Sequence, residues 1–145
     1  MNRLQDKVTI VTGGAAGIGL ATVRKFVEEG ARVAIWDIQE EKGREVANAL
    51  TKDGHDVRFY LVNTVDSTSV AEAAAQVQAD FGAIHILINN AGITRDATMK
   101  KITDEQWDQV IAVNLTGVFN CTRAVSPFMT DTGYGRIISA SSVVC

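Results

Sequence analysis

Pro127 is the only proline in 145 residues, and no repeated, low-complexity or linker-like stretch divides the chain. Cysteine is almost as scarce. Cys121 and Cys145 lack the paired spacing of a metal site or a disulfide scaffold, so a reduced, cytoplasmic chain is expected. Basic residues are neither abundant nor clustered: 14 Lys and Arg against 17 Asp and Glu leave a formal net charge of −3. That balance gives no reason to expect nucleic acid or an anionic membrane as a partner. No apolar run approaches the roughly 20 residues of a membrane span, and the opening "MNRLQDKVTIV" is too polar for a signal peptide. What remains is one soluble domain, with enough apolar content (46%) to bury a core.

Five short β-branched runs recur: "KVTIVTG", "RVAIWDI", "DVRFYLV", "ILINNAG" and "GRIISAS". They are continuously apolar rather than alternating, the pattern of strands covered on both faces. Helical patterns lie between them. Leu20, Val23, Phe26 and Val27 share one face, as do Val46 and Leu50, then Val70, Ala74, Val77 and Phe81. Ser67 or Thr68 is placed to cap the third pattern and Thr103 the fourth, which is expected to run to Pro127. Strand–helix alternation of this kind predicts a doubly wound α/β fold with parallel strands and right-handed crossovers.

The first strand breaks at Thr12-Gly13-Gly14-Ala15-Ala16-Gly17-Ile18-Gly19. A helix start exposes unpaired backbone N–H groups at the positive end of its dipole, and a pyrophosphate fits there if no Cβ atoms intervene. Gly13 allows the tight turn, Gly17 allows close approach, and Gly19 lets the helix pack closely. The spacing G-x-x-x-G-x-G differs from the commoner G-x-G-x-x-G, and a merely structural turn is the plain alternative. Asp37 ends the second strand 18 residues beyond Gly19, near the distance at which a carboxylate bonds the adenosine ribose hydroxyls. A 2′-phosphate beside it would meet a like charge, costing about 4 kcal/mol for a unit pair at ~4 Å and an effective dielectric of ~20, before screening. No Arg follows Asp37 and position 16 is alanine, so NAD is expected over NADP.

With that turn, Asp37, "NNAG" at 89–92, "VNLTG" at 113–117 and "ISASS" at 138–142 in order, the chain resembles the short-chain dehydrogenase/reductase family from about Lys7 to Val144. The resemblance implies a Rossmann-like sheet of five parallel strands in the order 3-2-1-4-5, ending before the family's last two strands. It implies cofactor contacts from Thr12, Gly13, Gly17, Ile18 and Gly19, and from Asn90, Ala91 and Gly92 beside the adenosine. Asn63, with Thr64 next, stands where the family commonly has an acid facing the adenine amine; an amide oxygen can still accept that bond, with weakened binding. Asn114 matches the asparagine that bends the long helix and holds a water in the proton relay. Ser142 matches the serine that hydrogen-bonds the substrate carbonyl. The family's Tyr-x-x-x-Lys should follow about a dozen residues later, and neither Tyr60 nor Tyr134 has its position. Residues 1–145 are therefore expected to form a dinucleotide-binding domain, inactive alone.

Several residues invite plainer readings. His55 and His85 precede strands in polar loops and are expected to be solvated, with no metal-site partner. The Trp107, Val110 and Ile111 stripe is expected in the core or at a subunit contact.

Within the family, residues 89–125 are most similar to 3-oxoacyl-acyl-carrier-protein reductases. That implies hydride transfer to a 3-oxoacyl thioester on acyl carrier protein or CoA, in a homo-oligomer. Two features point elsewhere: Asp37 disfavours NADPH, and "FMTDTGYG" lacks basic residues to dock an acidic carrier. An NAD-dependent dehydrogenase of secondary alcohols, polyols or sugars, and a non-catalytic dinucleotide-binding module, stay open.

Overall fold

The strands at Val8–Thr12, Arg32–Asp37 and Ile86–Asn89 are buried on both faces, with a layer on each side. The edge strands are not, since Val57–Leu61 is buried only at Val57 and Arg136–Ser139 is exposed throughout. The computed structural model describes residues 1–141; Ser142, Val143, Val144 and Cys145 lie outside them. Five strands, β1 (Val8–Thr12), β2 (Arg32–Asp37), β3 (Val57–Leu61), β4 (Ile86–Asn89) and β5 (Arg136–Ser139), form one sheet in the order β3-β2-β1-β4-β5. Every pairing is parallel. The expected strand order and fold class are thus observed.

Helices α1 (Gly17–Glu28) and α2 (Glu40–Lys52) cover one face; α3 (Ser67–Phe81) and α5 (Gly117–Thr132) cover the other. Val11, Val33, Ile35, Ile86 and Ile88 pack toward Val23, Val27 and Ala47. Val8, Ile10, Trp36 and Leu87 pack toward Val70, Val77, Cys121 and Val125. Burial raises the Cys121 thiol to about 12, so it is a packing residue rather than a nucleophile.

Three local expectations are corrected. Asp66, not Ser67 or Thr68, caps α3, its carboxylate accepting from the N–H groups of Thr68 and Ser69. The fourth helical pattern is not one helix ending at Pro127. It comprises α4 (Asp104–Ile111), a π-helical turn over Ala112–Thr116, and α5, which continues past Pro127 to Thr132. A proline inside a helix costs about 3 kcal/mol, but Val125 and Met129 on either side are buried, each contributing roughly 1.5–3 kcal/mol. Packing outweighs the lost hydrogen bond. His85 is not simply solvated: its Nδ1 accepts the Val8 N–H at 2.9 Å, and Tyr134 packs against its ring edge. Partial burial, then the charges of Lys7 and Arg32, lowers its pKa.

Thr103 does cap α4, in a reciprocal capping box with Gln106. Helix α4 buries no residue, and Trp107 is 56% exposed, so that stripe is not core within the described chain. Among the described residues no helix is long and apolar enough to cross a membrane, and no cluster of three or more His, Cys, Asp or Glu could hold a metal.

Candidate dinucleotide site

Parallel strands all end at the same edge of a sheet, and their following loops gather there. In this sheet the order reverses between β1 and β4, which leaves a crevice beyond their carboxyl ends. A cavity of about 360 Å³ occupies it. Gly13 and Gly17 form one side, Asp37 and Ile38 the next, Asn63 and Thr64 the third, and Asn90, Ala91 and Gly92 the fourth.

The glycine turn is built by what glycine omits. Gly13 has φ +67°, a left-handed backbone that L side chains rarely adopt. A Cβ on Gly19 would collide with the Gly13 carbonyl oxygen and stand 2.6 Å from Asn90 Nδ2. Helix α1 therefore sits directly against the turn. At Gly17 the opposite holds: φ is +58° and a Cβ would meet nothing within 4 Å. The space in front of Gly17 is open to the cavity side, as a cradle for a ligand requires.

Helix α1 starts without a capping side chain. Ala16 is its cap residue, and its first turn carries no acid. Helices α3 and α4 are capped by Asp66 and Thr103, and α2 begins with Glu40 and Glu41. The first N–H groups of α1 are thus left for an anion from outside the chain.

Beside that turn, the Asp37 carboxylate is buried (7% exposed) and doubly anchored. Its Oδ2 accepts the Ala15 N–H and its Oδ1 accepts the Gln39 N–H, both at 3.0 Å. Each carboxylate oxygen can accept about two hydrogen bonds, so one site per oxygen is left for hydroxyl donors.

Thr12 joins the two strands at the crevice. Its hydroxyl accepts the N–H groups of Asn90 (3.0 Å) and Ala91 (2.9 Å) and donates to the Ile88 carbonyl at 3.4 Å. The Asn90 amide donates to the Thr12 carbonyl at 3.2 Å. Asn114, in the π-helical turn, pairs with the Ile93 backbone in both directions, accepting its N–H at 2.8 Å and donating to its carbonyl at 2.9 Å.

The sequence-derived residues therefore divide. Gly13, Gly17, Asp37, Asn63, Thr64, Asn90, Ala91 and Gly92 line the cavity. Thr12, Gly19 and Asn114 lie behind it and hold its walls. Ile18 is 78% exposed and outside the cavity wall, and Ser142 lies outside the described residues. The wall also includes Ile38, Val62, Ile93 and Val113, which the sequence reading passed over. Ile38, directly after Asp37, is a large apolar side chain left 67% exposed beside an acid at a strand end. Neither tyrosine reaches the cavity. Tyr60 donates to Asp80 at 2.6 Å, and the Tyr134 ring lies under Lys7 Nζ at 4.3 Å.

Residues 7–145 match the family described as short chain dehydrogenase. The chain is 42% identical over 146 residues to the 3-oxoacyl-[acyl-carrier-protein] reductase FabG of Thermotoga maritima, covering 98% of this chain and 58% of that protein. It is 34% identical over 139 residues to the 2,3-dihydro-2,3-dihydroxybenzoate dehydrogenase of Bacillus subtilis, covering 96% and 53%. Among solved structures, that of gox2181 superposes with a TM-score of 0.94 at 36% identity, covering 97% of this chain and 55% of the other. The chain thus spans just over half the length of these relatives.

Proposed function

The chain belongs to the short chain dehydrogenase family of oxidoreductases, and from that premise we propose that it carries the dinucleotide site of an NAD-dependent 3-oxoacyl-thioester reductase. One observation carries the cofactor reading: the uncapped start of α1 and the Asp37 carboxylate, fastened to each other through the Ala15 N–H, line the same cavity. The N–H groups of α1 would hold the pyrophosphate, with Gly17 giving it room. Asp37 would accept from the adenosine ribose hydroxyls, and its charge sets NAD ahead of NADP. The Asn63 amide oxygen would accept from the adenine amine.

When bound, the reduced nicotinamide supplies a hydride to the substrate carbonyl carbon. The side chain of Ser142 would donate to the carbonyl oxygen and stabilise the charge that develops there. Asn114 fixes Ile93 in the cavity wall, and would hold a water of the proton relay. In the family a Tyr would donate the proton and a Lys would lower its pKa and hold the ribose. The exposed Trp107, Leu115 and Phe119 on α4–α5 would meet a second subunit.

The acyl-thioester reading rests on the similarity to 3-oxoacyl reductases. Asp37 and the absence of basic residues in "FMTDTGYG" favour a second reading, an NAD-dependent dehydrogenase of secondary alcohols, polyols or sugars. A hybrid of this chain with the C-terminal part of the Thermotoga relative separates the two. NADH-dependent reduction of acetoacetyl-CoA, lowered by roughly two orders of magnitude in Ser142→Ala, supports the first; oxidation of a polyol without thioester reduction supports the second.

A further inference from the structure

Asn120 lies on α5, behind the cavity, and is 5% exposed. Its amide nitrogen donates to two consecutive carbonyls, those of Thr64 at 3.0 Å and Val65 at 3.3 Å. These carbonyls belong to the turn between β3 and α3, the turn that brings Asn63 and Thr64 to the cavity wall. The turn is otherwise held by short-range bonds: Asn63 Oδ1 accepts the Val65 N–H at 3.1 Å, and the Asn63 N–H donates to Ser69 Oγ in the first turns of α3 at 3.3 Å. Asn63 and Val65 are themselves exposed, so little apolar packing fixes their position. Gly117 completes the seat from one turn earlier on α5. A Cβ there would come within 2.8 Å of Thr64 Oγ1, so a side chain at position 117 would force Thr64 to shift.

We propose that Asn120 is a positioning residue for adenine recognition. By clamping the Thr64 and Val65 carbonyls to α5, it sets where the Asn63 amide stands in the cavity. The same helical run holds a second part of the wall through Asn114 and Ile93. Six residues apart, two asparagines thereby fix the two parts against one rigid element, and a ligand that needs both parts is read in one geometry.

The inference rests on the dinucleotide reading above, and the experiment keeps the two apart. Binding of NADH is compared with that of its hypoxanthine analogue, in which the 6-amino donor becomes an oxo acceptor. The unmodified chain should prefer NADH by about tenfold, the scale of one hydrogen bond made or left unmade. Asn120→Ala frees the turn and should bring that ratio toward one. Gly117→Ala, which places the better helix former in the helix, should do the same by displacing Thr64, and it serves if Asn120→Ala does not fold. A residue that merely supported the fold would weaken both ligands together and leave the ratio unchanged. An unchanged ratio in either folded variant overturns the role of Asn120, as does an unmodified chain that binds both ligands equally. Failure of the unmodified chain to bind either dinucleotide overturns the site itself.

Discussion

The carboxylate of Asp37 accepts the backbone N–H of Ala15 at 3.0 Å, so the acid that ends β2 is fastened to the turn that follows β1. Two features separated by 22 residues thereby form one unit. The bond orients the carboxylate and also uses a turn N–H that a helix-bound anion would otherwise compete for. Replacing Asp37 by Ser removes the charge and shortens the reach to Ala15. The account expects the preference for NADH over NADPH to narrow by at least about tenfold, with the NADH affinity falling and the NADPH affinity holding or rising. Parallel calorimetric titrations of the variant with both cofactors read this directly, and a preference left intact would remove Asp37 from cofactor selection.

Two glycines of the same turn should fail in different ways. Gly19→Ala drives a Cβ into the Gly13 carbonyl, which is backbone and cannot swing aside, and against the Asn90 amide that is tied to Thr12. It should destabilise the fold by about 3 kcal/mol or more. Gly17→Ala meets no neighbour, so only the positive φ is penalised, at roughly 1 kcal/mol. That variant should fold and yet lose dinucleotide binding, because its methyl occupies the approach to α1. Thermal melts beside NADH titrations distinguish the two; a Gly17→Ala chain that binds normally would place the pyrophosphate elsewhere.

The sheet was legible because strand burial is written in composition. "VTIVT" and "RVAIWD" can only be covered on both faces, and β-α alternation then leaves little freedom in topology. Local ends were less legible, because they are decided by contacts made elsewhere. Pro127 reads as a stop, yet Val125 and Met129 are anchored to the core and carry the helix past it. Asp66, Ser67 and Thr68 are all competent caps; the backbone at Asp66 decides between them. At the site, the residues with chemistry were readable from spacing, whereas Ile38, Val62, Ile93 and Val113 were not. An apolar wall residue looks like any other apolar residue until the cavity is seen.

The N-terminal segment is tied to α1 through Glu29, whose side chain is only 8% exposed. Arg3 donates to it twice, from the guanidinium at 2.8 Å and from the backbone at 3.2 Å, and the Met1 ammonium stands 3.5 Å away. The hydrogen bond from the Arg3 side chain is the largest cause that lowers the Glu29 pKa, from 4.5 to about 2. Its folded value lies below its unfolded one, so as pH falls the unfolded chain takes up the proton first. The stabilisation is present above about 4.5 and is lost as pH falls toward 2. Thermal melts of the unmodified chain and Glu29→Gln should therefore differ at neutral pH, with a gap that shrinks steadily from pH 5 to 3. A gap independent of pH over that range would mean that Glu29 acts through packing and not through its charge.

The central claim is that the crevice between β1 and β4 is a nicotinamide dinucleotide site whose selectivity is set by Asp37. Calorimetric titration of the unmodified chain with NADH and with NADPH tests it most directly. The account predicts saturable binding at one site per chain, tighter for NADH. Tighter binding of NADPH, or no binding of either cofactor to the folded chain, would contradict it.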